Sequence, residues 1–411
     1  MNTLNGKHII LGITGGIAAY KSADLTRRLR DAGAQVRVVM SRGATGFVTP
    51  LTFQALSGNP VHTELLDEKA EAGMGHIQLA RWADAILIAP ASANCLARLA
   101  QGRADDLLTT LCLASEAPLA LAPAMNRVMW QDAATRANVD TLQQRGVRLF
   151  GPASGAQACG ERGEGRMLEV PELLEALSGL FKSGALQGID VLITAGPTWE
   201  PIDPVRFIGN RSSGRMGFAL ARAAREAGAN VTLVSGPSGE ATPEDVERID
   251  VETAAQMHAA VMQRLHRHRI FISAAAVADY RPRKPHEHKL KKHSAELSIE
   301  LERTEDILAD AAASKPRPFV VGFAAETEHL ESNARAKLMK KSLDLIAANL
   351  VGKDANAQDI GFNSEYNALH VFWPDGEQKL ETARKSALAR ELVSLIAHHY
   401  HKHGQHEKNT A

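Results

Sequence analysis

The chain has 411 residues, 45% hydrophobic and 23% charged, with 47 Lys plus Arg balancing 47 Asp plus Glu. That balance excludes a global field favouring nucleic acid or a membrane, so anionic ligands must be held by local sites, and the length calls for two domains or more. Three sparse cysteines exclude a disulfide framework, no apolar run approaches the ~18 residues of a membrane span, and no signal-peptide pattern opens the chain; a cytoplasmic protein is expected.

Residues 7–14 are a short apolar run broken by Gly15-Gly16. Helical spacing follows over 17–32, then a second apolar run over 35–40, closed by Ser41. Strand, glycine turn, helix and strand make a βαβ unit. It predicts an open parallel sheet with ligands at the carboxyl ends of its strands. The turn fits neither common nucleotide fingerprint: Gly12 is followed by Ile13-Thr14, and Tyr20 precedes Lys21. A glycine pair before a helix suits a phosphate, or is simply a tight turn. His76 follows a loop and starts a helical run, as an ordinary helix residue or as a general base. Strand 85–90 is followed by Ser92-Ala93-Asn94, and strand 119–123 by Asn126. Capping explains any one such residue; three polar strand ends in one sheet favour a site. Residues 155–167 are glycine-rich and charged around Cys159, which predicts a mobile exposed loop. Arg162 and Arg166 favour a thiolate there, while Glu161 and Glu164 oppose it; an incidental cysteine fits as well. Cys95 and Cys112 read as packing residues.

The motifs Gly15-Gly16-Ile17-Ala18-Ala19-Tyr20-Lys21, Pro90-Ala91-Ser92-Ala93-Asn94 and Pro123-Ala124-Met125-Asn126-Arg127-Val128-Met129-Trp130, with the Cys159 segment, resemble the flavin-dependent cysteine decarboxylase family. They are most similar to the phosphopantothenoylcysteine decarboxylases of coenzyme A biosynthesis. The resemblance implies a flavodoxin-like domain that binds FMN through Gly16, Ile17, Ser41, Ser92, Ala93 and Asn94. It implies that His76 assists oxidation and decarboxylation, that Asn126 holds the substrate carboxylate, and that Cys159 supplies a proton from a closing flap. It also implies trimers, with each FMN site at a subunit interface.

Residues 182–188 are polar and contain glycine, placing the join between domains 1–188 and 189–411. Residues 189–195 restart a βαβ pattern. Asn210-Arg211-Ser212-Ser213-Gly214 precedes a helix over 218–227 and offers either an anion site or an N-cap. Strand 230–235 follows. Strand 269–276 leads to Asp279, a cap residue or a carboxylate for Mg²⁺ on a triphosphate. Residues 281–293 are basic and contain prolines. They read as a solvated charge run or a lid over phosphates; neutral total charge and absent aromatics disfavour nucleic acid. Thr304-Glu305-Asp306-Ile307-Leu308 begins a helix, and 319–327 is a strand with a polar end. Lys337 and Lys341 lie four apart on one face of a helix over 329–341, unfavourable unless an anion sits between them. Strands over 343–350 and 368–373, a helix over 382–400 and a disordered His-rich tail from about 401 complete the chain.

Gly209-Asn210-Arg211-Ser212-Ser213-Gly214, Ala274-Ala275-Ala276-Val277-Ala278-Asp279, Lys289-Leu290-Lys291-Lys292 and Gly322-Phe323-Ala324-Ala325-Glu326-Thr327 resemble the phosphopantothenate–cysteine ligase domain of the bacterial fused enzyme. The resemblance implies CTP as co-substrate with Mg²⁺ (or Mn²⁺), and an acyl-cytidylate held by Asn210 under a lid carrying Lys289. It implies a nucleotide site of Ser273, Ala274, Ala275, Asp279, Asp306, Ile307, Leu308, Phe323, Lys337 and Lys341, with Asp279 also the candidate metal ligand. The expectation is an α/β chain of two Rossmann-like open parallel-sheet domains. It would join cysteine to 4'-phosphopantothenate and then decarboxylate the product to 4'-phosphopantetheine. The implied assembly is a homo-oligomer, a dodecamer built from flavin-domain trimers and ligase-domain dimers, with no nucleic-acid or membrane partner. The alternative, a flavin-binding regulatory or scaffold protein that has lost catalysis, is disfavoured by intact His76, Asn126, Cys159, Asn210 and Lys289.

Overall fold

The computed structural model describes residues 4–65, 75–158, 160–291, 297–326, 328–350, 352–353, 359–360 and 364–410. Two compact units divide the chain, Met1–Phe181 and Lys182–Ala411.

In the first unit, β1 (His8–Ile13), β2 (Gln35–Met40), β3 (Val61–His62), β4 (Ala85–Ala91), β5 (Leu119–Pro123) and β6 (Arg148–Leu149) form one sheet. Its order is β3-β2-β1-β4-β5-β6, parallel throughout. Leaving out the two-residue edge strand β3, the other five follow the flavodoxin-like order once renumbered. All seven residues of β4 are buried, because helices cover both faces of a parallel sheet. Strand alternation sorts the side chains: Ile9 and Leu11 face one core with Leu25, Phe53 and Leu173, while Ile10, Ile86 and Ile88 face another with Leu96 and Leu108. The covering helices are α1 (Ala19–Asp31), α2 (Pro50–Ser57), α3 (His76–Trp82), α4 (Ala93–Ala100), α5 (Leu107–Ala114), α6 (Arg127–Gln131), α7 (Ala133–Gln144) and α8 (Val170–Gly179). A hairpin of β7 (Ala153–Ala156) and β8 (Arg162–Arg166) stands outside the sheet.

The second unit has its own sheet, ordered β13-β12-β9-β14-β17-β18-β21-β22. Six strands are parallel: β9 (Asp190–Ala195), β12 (Asn230–Ser235), β13 (Val246–Asp250), β14 (Ile270–Ser273), β17 (Phe319–Glu326) and β18 (Leu345–Leu350). The last two, β21 (Tyr366–Trp373) and β22 (Gly376–Arg384), run antiparallel. The sheet is therefore mixed at one edge, because a turn as tight as Pro374-Asp375 can join only antiparallel neighbours. Small hairpins of β10 (Trp199–Pro201) with β11 (Phe207–Gly209), β15 (Tyr280–Pro282) with β16 (Leu301–Arg303), and β19 (Gly352–Lys353) with β20 (Asp359–Ile360) stand apart from it. Helices α9 (Arg215–Glu226), α10 (Ala254–Leu265), α11 (Ile307–Ala313), α12 (Leu330–Lys340) and α13 (Lys385–Thr410) cover the faces.

Two boundaries differ from the sequence expectation at the end of the chain. Residues 382–384 belong to β22, so α13 begins only at Lys385. That helix then continues to Thr410 instead of ending at Tyr400. His401 Nε2 lies 2.8 Å from Ala185 O, and Tyr400 and His403 both set their rings edge-on to Phe319. These contacts fix the start of the expected tail to the unit's own core. Among the described residues no helix is long and apolar enough to cross a membrane.

Candidate active sites

The first site is a cleft of about 670 Å³ at the carboxyl ends of β1, β4 and β5. The chain reverses sheet direction between β1 and β4, and a doubly wound sheet opens its crevice at that point. Gly15 makes the crevice close on one side: a Cβ there would lie 2.9 Å from the Gly43 backbone. Gly16 instead faces open space. The amides of Gly16 and Ile17 have no partner among the described residues, and they precede α1. Thr14 Oγ1 donates to Pro90 O (2.7 Å) and accepts from Ser92 N (2.9 Å), tying the ends of β1 and β4 together. Ser92 caps α4 by accepting from Cys95 N at 3.3 Å, and Ala93 lines the cleft beside it. Lys21 donates to Glu169 Oε1 at 2.8 Å.

Asn126 forms the third wall with Met125 and Met129. Its Oδ1 caps α6 by accepting from Val128 N at 2.8 Å. Its Nδ2 donates to Glu161 Oε2 (2.9 Å) and Gln157 Oε1 (3.4 Å). Gln157 also accepts from Arg127 N (3.0 Å) and donates to Glu164 O (3.1 Å). Met125 N donates to Gly165 O at 2.9 Å, and Trp130 Nε1 to Glu164 Oε2 at 3.1 Å. The segment expected as a free loop is thus a hairpin docked on the strand end. Its glycines explain the difference: a Cβ on Gly165 would lie 2.4 Å from Met125 O, at φ +135°. Cys159 lies outside the described residues.

Ser41 follows β2 and is half-buried, Asn94 is exposed on the first turn of α4, and His76 is the first residue of α3; none of the three lines this cleft. Lys21, Arg166 and Gln157 do line it. In the sequence Lys21 stands in a failed phosphate-loop pattern and at the end of the Gly15–Lys21 motif, without a role of its own. Burial pushes the Cys95 thiol up to about 12 and raises Cys112 as well, as packing residues require.

The second site is a polar cleft of about 480 Å³ beyond the ends of β14 and β17. Ser273 and Ala275 line it; Ala274 lies between them, its amide donating to Thr194 O at 3.2 Å. Asp306 caps α11 by accepting from Ala309 N at 3.1 Å and pairs with Lys341 at 2.6 Å. Ile307 and Leu308 follow it into the lining, which Phe323 shares. Lys337 Nζ donates to Phe323 O at 2.8 Å. Burial lowers the Lys337 pKa, and the Lys341 charge lowers it further. Burial alone would raise the Asp306 pKa; the bonds from Lys341 and Ala309 outweigh it and hold the carboxyl below its usual value.

Asp279 lines the same cleft, exposed, and its carbonyl accepts from Thr304 N at 3.1 Å. Among the described residues no cluster of three His, Cys, Asp or Glu is placed to hold a metal. Asn210 stands beside the cleft, its Nδ2 donating to Ala276 O (3.1 Å) and Val277 O (3.0 Å). Lys289 is exposed and does not line the cleft. Tyr280, Arg303, Thr304 and Glu305 do. Of these, Thr304 and Glu305 stood in the sequence only as a helix start, and Arg303 carried no signal.

Residues 1–182 match the family described as Flavoprotein, and 186–400 that described as DNA/pantothenate metabolism flavoprotein C-terminal domain. A coenzyme A biosynthesis bifunctional protein CoaBC from Vibrio vulnificus (strain YJ016) is 54% identical over 399 residues, 96% of this chain and 98% of its own length. The protein of that name from Escherichia coli (strain K12) is 51% identical over 403 residues, 97% of this chain and 98% of its own. A crystal structure of the C-terminal domain of such a protein is 41% identical, with a TM-score of 0.44. It covers 52% of this chain and 97% of that domain.

Proposed function

The chain belongs to the family of coenzyme A biosynthesis bifunctional proteins, and on that premise we propose that its two clefts carry consecutive reactions. The second unit joins cysteine to 4'-phosphopantothenate with CTP. The first is a flavoprotein domain that decarboxylates the 4'-phosphopantothenoylcysteine so formed. One observation carries the reading: a single chain pairs an apolar-walled cleft with free amides at a helix start with a polar cleft flanked by two lysines.

In the ligase cleft, Lys337 and Lys341 flank a space otherwise bounded by Asp306, Asp279 and Ser273. Their like charges offset the triphosphate and the charge that develops as pyrophosphate leaves. The carboxylate of 4'-phosphopantothenate attacks the α-phosphorus, forming an acyl-cytidylate and releasing pyrophosphate. The cysteine amine then attacks the acyl carbon, expelling CMP. Asn210, held by two carbonyls at the cleft's edge, orients the acyl group for that second step. The residues fit Mg²⁺ on the phosphates: such ions keep most of their waters and need only one or two protein carboxylates, and Asp279 is exposed in the cleft.

In the first cleft, the free Gly16 and Ile17 amides suit a phosphate, and Met125, Met129 and Ala93 make an apolar wall for a flat ring. These residues fit FMN. Bound there, FMN would supply a reversible hydride acceptor for the thiol-bearing carbon of the substrate, whose oxidised form can take up the electron pair that departing CO₂ leaves behind. Asn126 takes the substrate carboxylate on its amide Nδ2 in exchange for Glu161 and Gln157, while the docked hairpin shields the reaction from water. Cys159 supplies the closing proton. Ile17 and Tyr20 at the mouth are 62% and 61% exposed, and His76 lies off the lining. Both features support a second copy completing the site, in a trimer that pairs through ligase domains into a dodecamer in the cytoplasm.

The test is mass spectrometry of products from 4'-phosphopantothenate, cysteine, CTP and Mg²⁺ with purified protein, its visible absorbance recorded alongside. A flavin spectrum with 4'-phosphopantetheine, CO₂, CMP and pyrophosphate is expected. Cys159→Ser should instead accumulate a species not yet reduced to 4'-phosphopantetheine. Bound flavin with no product would overturn the reading in favour of a binding protein.

A further inference from the structure

Asp203 sits in the turn between β10 and β11, with its side chain fully buried although Pro204 and Val205 beside it are exposed. Its Oδ1 accepts from the amides of Val205 and Arg206, both at 2.9 Å, which closes the turn. Its Oδ2 does something a turn does not need. It takes the Arg206 guanidinium through Nε (3.0 Å) and Nη2, and it also accepts from the amide of Leu290 at 3.1 Å. Arg206 Nη2 in turn donates to Leu290 O at 3.1 Å. Both backbone groups of Leu290 therefore end on one ion pair more than eighty residues away in sequence. A backbone bond from His286 N to Ile202 O (2.9 Å) fastens the other end of the same segment. Lys289 lies between these fastenings, exposed and without an ion-pair partner among the described residues.

A turn is satisfied by one acceptor oxygen, which asparagine also provides. A buried carboxylate with a guanidinium partner is a costlier arrangement than the hairpin requires, and it needs every lone pair bonded. The Arg206 bonds hold the Asp203 carboxyl well below the usual carboxylate range, so the lid meets a permanent charge. Charge-assisted bonds to both backbone groups of one residue fix that residue in place.

We propose that Asp203 and Arg206 are a positioning pair for the ligase reaction. They hold the lid backbone at Leu290, so that the Lys289 ammonium reaches the nucleotide phosphates from a fixed point. This rests on the reading of the second unit as a CTP-dependent ligase. The geometry is demanding: a one-residue slip of the lid moves the backbone by ~3.8 Å, enough to take an ammonium out of hydrogen-bond range.

Asp203→Asn separates the two duties. Its amide oxygen keeps the turn bonds, while its NH₂ faces the Leu290 N–H and the Arg206 guanidinium, where no acceptor remains. Expected for the full-length variant is a fall of about tenfold or more in kcat for pyrophosphate release. The KM for CTP should stay within about twofold, because the cleft lining is untouched. Trypsin should cut after Lys289 at least about tenfold faster than in the unsubstituted protein without nucleotide, since a released segment opens locally at little cost. Arg206→Lys, which keeps the charge but loses the fork, should shift both readouts in the same direction. Adding Lys289→Gln to Asp203→Asn should cost no further rate, as expected of residues acting as one unit. Faster lid cleavage with unchanged kcat would overturn the positioning role alone. Unchanged cleavage and unchanged kcat would overturn the latch itself. Absence of CTP-dependent pyrophosphate release from the unsubstituted protein would overturn the ligase reading, and the positioning role with it.

Discussion

Lys337 puts a charge where water has been withdrawn, and its lowered pKa records the strain. A lysine with a folded pKa below its unfolded value of about 10.4 destabilises the fold while it is charged. That cost is fully present below the folded pKa and is relieved as pH rises from there toward the unfolded value. A triphosphate needs the charged form. Thermal melts between pH 7 and 10 should therefore show the unliganded ligase unit gaining stability, while calorimetry shows CTP affinity falling across the same rise. Lys337→Met should shrink the gain in stability, leaving the part that comes from Lys385, whose burial lowers its pKa to about 8, and should weaken CTP by about tenfold to a hundredfold, the worth of one charge-assisted bond. In the other unit, Asn126→Asp keeps the oxygen that caps α6 but sets a carboxylate against Glu161 and against the substrate's own. Decarboxylation kcat/KM should drop at least about a hundredfold, with flavin absorbance retained. Asn126, Lys337 and Lys341 were legible in the sequence because each stands at a fixed place on a strand end or helix face. Ser41 enters as a site residue through resemblance alone, Asn94 also as a polar strand end and His76 also as a helix residue or general base, and no rule of spacing reveals whether one chain's own cleft includes them.

Elements show the same division between what burial writes into sequence and what it does not. Strands β2, β5 and β12 were bounded correctly because a strand covered on both faces is a continuous apolar run. Strands β13 and β22 escaped notice: Val246-Glu247-Arg248-Ile249-Asp250 and Gly376–Arg384 lie at the edges, where polar residues face water. The hairpin of β7 and β8 was read as a loop because its order comes from absent side chains, not apolar ones. Gly165→Ala tests this: the added methyl meets a main-chain carbonyl that cannot turn aside, in a conformation L-residues avoid. With ~1–3 kcal/mol of strain on docking, decarboxylation should fall roughly fivefold to a hundredfold. Ligation of cysteine by the same protein should be unchanged, which a coupled assay with separate product quantification would resolve.

At the scale of the whole molecule, each unit carries its own buried clusters on both faces of its own sheet. A domain with a complete core folds by itself. Fragments 1–181 and 182–411, expressed separately, should each unfold cooperatively and keep their own reaction within about threefold of the intact chain's kcat. A fragment that is insoluble or inactive while the intact chain works would count against autonomy. The polar stretch 182–188, which the sequence reading takes as the join, falls within the second unit, where Leu186 is buried in that unit's own core.

The second sheet ends on both sides in strands that carry charge outward, β13 with Glu247 and Asp250 and β22 with Glu377, Lys379 and Glu381. An open sheet edge is a template on which any stray strand can add, and a row of like and unlike charges makes that addition uncomfortable. A newly made chain, with its sheet formed but no neighbour yet found, is thereby protected from growing into fibres with its siblings. Copies of this protein are thereby steered away from joining sheet edge to sheet edge, the one contact that would leave a fresh edge open after every addition.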